Sequence, residues 1–129
     1  TSKSFGEDLL RYYIENYEYP KRGYALRICS VRMPEYDHPY GDAESGVEDG
    51  EFERGSDEYA REVARMKAMW QSRRDFAHQI ECCLDDDDVE YGIFNGVSDN
   101  QRRWYSIEHA RRRIGYDPDD DGEEWSSPP

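Results

Sequence analysis

Two basic side chains stand out in a chain whose charged residues are mostly acidic. Lys3 lies in the first turn of a helix pattern rich in aromatic residues, and Arg65 opens a segment that also carries Arg73 and Arg74. An arginine suits a planar oxyanion such as a carboxylate, or a sugar phosphate, because its guanidinium donates paired hydrogen bonds. A solvated surface charge is the alternative for each of these residues. Residue type alone therefore makes Lys3 and Arg65 candidates for a functional site and assigns them no reaction.

The other reactive residue types lack the spacing that their chemistry needs. The three cysteines include no CxxC pair and are interpreted as small buried residues in a reducing compartment. The three histidines lie far apart, so no zinc site is predicted. Residues 117–122 match the opening of an EF-hand calcium loop, but its twelfth position would be Pro128 instead of glutamate. No GxSxG elbow, P-loop or GxGxxG turn occurs, so neither a serine nucleophile nor a phosphate cradle is indicated.

Regular elements are predicted around the candidate residues. Apolar residues at three- and four-residue spacing predict helices over 4–17 and 58–70. Ser72 with Asp75 predicts the capped start of a further helix that ends at 85–88, and a last short helix is expected from Ser106 to Ile114. Two buried strands are predicted over 24–31 and 89–94. A helix that leads into such a strand predicts an α/β layer with parallel strand pairing.

The composition bounds the classes of function. The 129 residues carry 30 Asp plus Glu against 17 Lys plus Arg, a net charge of −13, which disfavours nucleic acid as a partner. No apolar run is long enough for a membrane span and no signal-like start is seen, so a cytoplasmic protein without a membrane role is expected. Among the basic residues 14 are Arg and 3 are Lys, and this acidic, Arg-rich surface is interpreted as adapted to high salt.

Several segments resemble the extended short-chain dehydrogenases of the NAD-dependent epimerase/dehydratase family. Residues 1–11 (TSKSFGEDLLR) resemble the segment that follows the family's catalytic tyrosine, with Lys3 on the lysine of the Tyr-x-x-x-Lys motif. Residues 26–30 (LRICS) are similar to the strand that ends beside the nicotinamide. Residues 65–76 (RMKAMWQSRRDF) are similar to the substrate segment of uronate dehydrogenases and haloarchaeal sugar dehydrogenases. The family order continues through 91–104 and 115–118, so the resemblance covers nearly the whole chain.

The resemblance implies an α/β fold, the C-terminal half of a Rossmann-type doubly wound parallel sheet with a small substrate-binding portion. Residues 1–33 would form the end of the Rossmann core, with the lysine helix and the strand after it. Residues 34–57 are rich in Gly, Asp and Glu without an apolar period, and are predicted to be an acidic loop insertion. Residues 58–115 would hold the substrate-binding portion with the final strand and helix, and 116–129 an acidic, solvated tail.

The resemblance also implies an activity for the whole enzyme. It would oxidise a sugar, whether an aldose, a sugar phosphate or a uronate, at C1 to a lactone, with NAD or NADP as hydride acceptor. The catalytic tyrosine would lie two positions before Thr1, so this segment alone would be inactive. A homodimer through the helix that begins at Ser2 is a further expectation from the family.

Five residues fall on functional positions of the family. Lys3 would be catalytic and cofactor-binding, because its charge would favour the ionised tyrosine and its ammonium would reach the nicotinamide ribose. Ile28 and Cys29 would approach the nicotinamide through their backbone, at the carboxyl end of a strand. Ser30 would hydrogen-bond the substrate, and Arg65 matches the residue that binds the uronate carboxylate.

Two other interpretations stay open at this point. The first is a nucleotide-sugar epimerase or dehydratase of the same superfamily, which would need a uridine-diphosphate site. The second is an acidic interaction protein without catalysis, which would use its Asp-rich surface against a basic partner. That second interpretation leaves the spacing of Lys3, Ser30 and Arg65 unexplained.

Overall fold

The computed structural model describes residues 2–129. Its elements, in chain order, are α1 (Ser2–Asn16), β1 (Gly23–Ile28), a 3-10 helix (Pro34–Tyr36), α2 (Gly41–Glu48), α3 (Asp57–Met69), α4 (Arg73–Asp85), β2 (Tyr91–Gly96), α5 (Glu108–Ile114) and a second 3-10 helix (Gly122–Glu124). Among the residues described, no helix has the length and apolar character needed to cross a membrane.

The helix boundaries follow from capping residues that the sequence makes visible. Ser56 and Ser72 cap α3 and α4, each accepting a hydrogen bond from the backbone N–H three residues later. Gly115 ends α5 at a φ of 72°, a left-handed conformation that glycine adopts at little cost. The predicted helices are therefore confirmed, with ends that differ by one or two residues.

The two strands pair in parallel, as the sequence predicts. β1 lies beside β2 in a register that runs from Gly23 opposite Tyr91 to Ile28 opposite Gly96. β1 is shorter than expected, because beyond Ile28 the chain leaves β2 and Ser30 forms an isolated parallel bridge with Trp70. The core lies on one side of β2 and consists of the buried residues Val89, Phe94, Val97, Ile107, Ala110, Ile114 and Tyr116.

Residues 34–57 are not the loop that their composition predicts. They contain a 3-10 helix and α2, and Gly41 at the start of α2 packs so closely that a Cβ there would lie 2.2 Å from the Tyr36 carbonyl oxygen. Glu44 of α2 is paired with Arg54 and also accepts a hydrogen bond from the Tyr59 hydroxyl at 2.6 Å. An ion pair to the following turn and a hydrogen bond from α3 therefore hold a helix that has little apolar surface.

Residues 116–129 are also not the solvated tail that the sequence predicts. The buried Asp75 carboxylate accepts the backbone N–H groups of Asp119 and Asp120 at 2.8 and 3.0 Å. The N–H of the buried Gly122 donates to the Asn100 side chain at 2.8 Å. Trp125 stacks on His38, with ring centroids 5.4 Å apart. Acidic composition suggested solvation, but backbone donors and one aromatic ring tie this segment to the rest of the chain.

Candidate functional site

An open cleft of about 830 Å³ lies at the carboxyl end of β1. Because α1 precedes β1 and runs back along it, the first turn of α1 and the last residues of the strand reach the same end of the sheet. The cleft combines charged, polar and apolar side chains, and it is lined by Lys3, Ser4, Glu7, Ala25, Leu26, Arg27, Ile28, Cys29, Met69, Asn95 and Tyr105. Three of the five residues that the sequence analysis singles out are therefore neighbours.

Among residues 2–129, no carboxylate neutralises Lys3, a cation of this cleft. Glu7, one turn further along α1, is engaged by Arg27 through two hydrogen bonds of 2.9 Å. The Arg27 guanidinium holds the pKa of the Glu7 carboxyl below its usual range, so this carboxylate stays ionised and committed to Arg27. Within residues 2–129 Lys3 forms no ion pair. Its ammonium is thus available to a ligand in the cleft.

The end of β1 supplies one apolar side chain and one thiol. Ile28, the last residue of β1, is 43% exposed and gives the cleft an apolar surface. Cys29 is half-buried, and its N–H donates to the Gly96 carbonyl at 2.9 Å, which fixes the backbone of the strand end. Burial raises the pKa of the Cys29 thiol, so it is a poor nucleophile at neutral pH.

Ser30 and Arg65 do not line the cleft. Ser30 is buried, and its hydroxyl donates to the Met66 sulfur at 3.3 Å. Arg65 donates to the carboxylates of Asp42 and Glu62 at 2.9 and 2.8 Å. Arg65 lies next to the cleft, because its guanidinium contacts the sulfur of Met69, which lines the cleft, at 3.9 Å.

Asn95 and Tyr105 are among the cleft residues to which the sequence analysis assigns no role. Asn95 is the penultimate residue of β2, opposite Arg27 of β1, and its amide donates to the Ser106 carbonyl at 3.0 Å. The predicted parallel pairing could have indicated Asn95, because the carboxyl ends of parallel strands meet at one edge of the sheet. Tyr105 lies in the turn before α5 and carries no periodic signal. Among residues 2–129, no group of three His, Cys, Asp or Glu side chains is placed to hold a metal ion.

A curated relative shows what this arrangement is similar to. The chain is 35% identical over 125 residues to the NAD-dependent glucose-6-phosphate dehydrogenase of Haloferax volcanii, an alignment that covers 97% of this chain and 38% of that enzyme. The chain is homologous to NAD-dependent sugar dehydrogenases. The resemblance to haloarchaeal sugar dehydrogenases found in the sequence is thereby confirmed, and no family model matches the chain.

Solved structures show the fold of these sugar dehydrogenase homologues. The glucuronic acid dehydrogenase of Chromohalobacter salexigens matches 96% of this chain at 22% identity and a TM-score of 0.65, and the match spans 36% of that structure. The uronate dehydrogenase of Agrobacterium tumefaciens matches 99% of this chain at 24% identity and a TM-score of 0.66, over 40% of that structure. A tyrosine-to-alanine mutant of the Agrobacterium enzyme, complexed with NAD, matches with a TM-score of 0.64.

These matches confirm the predicted fold class. The chain corresponds to the C-terminal part of a Rossmann-type α/β fold and spans about two fifths of the length of the relatives that it matches. Relatives from Haloferax and Chromohalobacter also agree with the interpretation of the acidic surface as one adapted to high salt.

Proposed function

We propose that this chain forms the nicotinamide end of the active site of an NAD(P)-dependent sugar dehydrogenase. The reaction is oxidation of a sugar at C1 to its lactone, and the sugar is an aldose, a sugar phosphate or a uronate. One observation carries the proposal: Lys3, which is distant in sequence from Ile28 and Cys29, shares one cleft with them at the carboxyl end of a parallel strand. The description of the Haloferax relative as an NAD-dependent dehydrogenase favours this reaction over the epimerase and interaction-protein alternatives.

The cleft fits the nicotinamide half of the cofactor. Its volume of about 830 Å³ lies in the range of small-molecule sites, and it opens where parallel sheets bind their ligands. The exposed side chain of Ile28 offers an apolar surface to a planar ring, and Lys3 offers donors to a ribose hydroxyl. When bound, NAD would supply the acceptor for the hydride of the sugar C1. The phosphates need a glycine-rich turn that these 129 residues do not contain.

Lys3 acts on the reaction by charge and by position. It lies in the first turn of α1, where the helix dipole adds to the positive potential of the ammonium. Such a potential favours the ionised form of a nearby tyrosine, which then accepts the proton of the C1 hydroxyl. By resemblance that tyrosine precedes Thr1. Lys3 does not itself exchange a proton with the sugar in this scheme.

Ser30 and Arg65 can contact substrate, as the resemblance implies, only if their side chains first leave their present partners. The Ser30 hydroxyl would have to leave the Met66 sulfur, and Arg65 would have to exchange one of its carboxylate partners. Met69, which separates Arg65 from the cleft, is an unbranched side chain that adapts its shape at low cost. Substrate can therefore reach Ser30 or Arg65 only when these contacts break.

The test is an assay of the protein expressed from its complete gene. Reduction of NAD or NADP is measured in molar KCl with glucose, glucose 6-phosphate and glucuronate as separate substrates. Lys3→Met is expected to lower kcat by roughly a hundredfold, the usual effect of losing a group that supports proton transfer. Lys21→Met is the matched control, because Lys21 is an exposed lysine in the turn after α1, and it should change kcat less than about twofold.

Two results would overturn the proposal. The first is a wild-type protein that reduces neither cofactor with any of the three sugars. The second is a Lys3→Met variant whose kcat equals that of Lys21→Met.

A further inference from the structure

Two arginines beside the cleft share a single carboxylate. Arg32 donates from Nε and Nη2 to the two oxygens of Asp42 at 2.5 and 2.8 Å. Arg65 donates from Nη2 to Asp42 Oδ2 at 2.9 Å and to Glu62 Oε2 at 2.8 Å. Two guanidinium groups that donate to one carboxylate form an anion-binding site, and here the Asp42 side chain is the anion.

This cluster borders the proposed sugar site. Arg65 Nη1 lies 3.9 Å from the sulfur of Met69, and Met69 lines the cleft. Arg32 follows the end of β1 by four residues. The guanidinium of Arg65 is therefore one side chain away from the space in which a ligand would lie.

The position of Asp42 depends on the segment that the sequence predicts to be a loop. Asp42 is the second residue of α2, and the close approach of Gly41 to the Tyr36 carbonyl sets where that helix begins. The side chain of Asp42 is only 17% exposed, against 38% for Arg65. The Arg32 guanidinium holds the pKa of the Asp42 carboxyl below its usual range, so the carboxylate stays charged near neutral pH.

The charges of the cluster cancel. Arg32 and Arg65 carry two positive charges, and Asp42 and Glu62 carry two negative ones. A sugar carboxylate that approached Arg65 would meet two carboxylates already in place and would gain no unpaired cation. Repulsion between like charges of this kind discriminates against a wrong partner.

We propose that Asp42 is a specificity-determining residue that keeps sugars with a carboxylate out of the Arg65 side of the cleft. The inference rests on the proposed function and narrows its substrate class. The sugar presents a neutral group to this side, and a uronate is a poor substrate because the chain supplies its own carboxylate there.

The test compares substrates in the protein expressed from its complete gene. Asp42→Asn keeps the shape of the side chain and removes its charge, which leaves Arg32 without a carboxylate partner. The ratio of kcat/KM for glucuronate to kcat/KM for glucose should rise by roughly tenfold or more. The Kd of glucuronate, measured by calorimetry, should fall by a similar factor. Both are measured at the lowest salt at which the protein stays folded, because molar salt screens the charges under test.

Glu58→Gln is the matched control. It removes an exposed carboxylate of α3 that pairs with Arg61 instead of Arg32 or Arg65, so the ratio should change less than about threefold. A ratio in Asp42→Asn that stays within twofold of wild type, in a protein that still oxidises glucose, would overturn the inference and leave the proposed function intact. A wild-type protein without any sugar-dependent activity would instead overturn the proposed function.

Discussion

Both ends of the chain carry aromatic side chains, but they bury them very differently. α1 presents a stripe of exposed rings and has no buried residue; Phe5 is 67% exposed and Tyr12 is 51% exposed. In the segment 116–125, by contrast, Tyr116 is fully buried and Trp125 packs between His38 and Trp70. The stripe on α1 is regular and easily seen in the sequence, whereas the C-terminal segment has no period at all. Regular spacing therefore identifies a helix without saying what covers it.

The C-terminal segment is held chiefly by polar contacts. The Asp75 carboxylate, 1% exposed, accepts the backbone N–H groups of Asp119 and Asp120 and the Ser98 hydroxyl, the last at 2.6 Å. The Tyr116 hydroxyl donates to the Val97 carbonyl at 2.8 Å and accepts from Gln71 at 2.9 Å. A buried carboxylate with three donors is satisfied, and those donors would lose their acceptor together.

The largest effect on stability is expected at Asp75. Asp75→Ala leaves two backbone N–H groups and one hydroxyl without their acceptor, and should lower the free energy of unfolding by about 3–5 kcal/mol. Urea unfolding of the variant and of wild type in the same salt measures this difference.

Asp119→Ala is the control for that change. Asp119 reaches Asp75 through its backbone N–H, which alanine retains, so the expected loss is below about 0.5 kcal/mol. Equal losses in the two variants would mean that the segment is held by something other than the Asp75 carboxylate.

The sequence predicts local elements well, because their signals are local. The apolar spacing of α3 and the Ser72 cap of α4 are both confirmed, as is the parallel pairing of β1 with β2. Asp75 is visible in the sequence only as a capping residue. Its hydrogen bonds to residues 44 and 45 positions away leave no local pattern, so the docking of the C-terminal segment could not be predicted.

The candidate site divides in the same way. Lys3, Ile28 and Cys29 could be placed together, because a lysine at a helix start and a strand end meet at one edge of an α/β layer. The partners of Arg65 could not, because they depend on α2, whose helix has few apolar residues and is held by ion pairs. The roles of Lys3, Ile28, Cys29 and Arg65 toward cofactor and substrate remain predictions.

A second prediction concerns His38, which supports Trp125. Burial lowers the pKa of His38, while the charges of Glu44 and Asp37 oppose that shift. The unfolded chain, with a histidine pKa of about 6.5, therefore takes up the proton first, and stability is lost as the pH falls below that value. The stability that comes from neutral His38 is fully present above it.

Unfolding in urea at several pH values between about 5 and 8, followed by tryptophan fluorescence, measures this effect. His38→Gln should reduce the change in the free energy of unfolding over this pH range. The reduction should be smaller than the loss of free energy of unfolding in Asp75→Ala. His109→Gln serves as the control, because His109 is exposed and stacks on Phe94 at the other side of the core. Profiles of His38→Gln and wild type that run parallel would contradict the prediction.

The smallest effect on stability is expected on α1, and it tests the other half of the comparison. Tyr13 is 43% exposed, and its ring partners Tyr12 and Tyr17 belong to the same stripe. Tyr13→Ser should therefore change the free energy of unfolding by no more than about 0.5 kcal/mol, similar to Asp8→Ser on the same helix. If the stripe joins two copies of the protein, as the family resemblance predicts, Tyr13→Ser should weaken the dimer in sedimentation while Asp8→Ser leaves it intact. A loss above about 1 kcal/mol in Tyr13→Ser alone, without any change in association, would show that α1 is covered within one molecule, since an exposed substitution has no such cost.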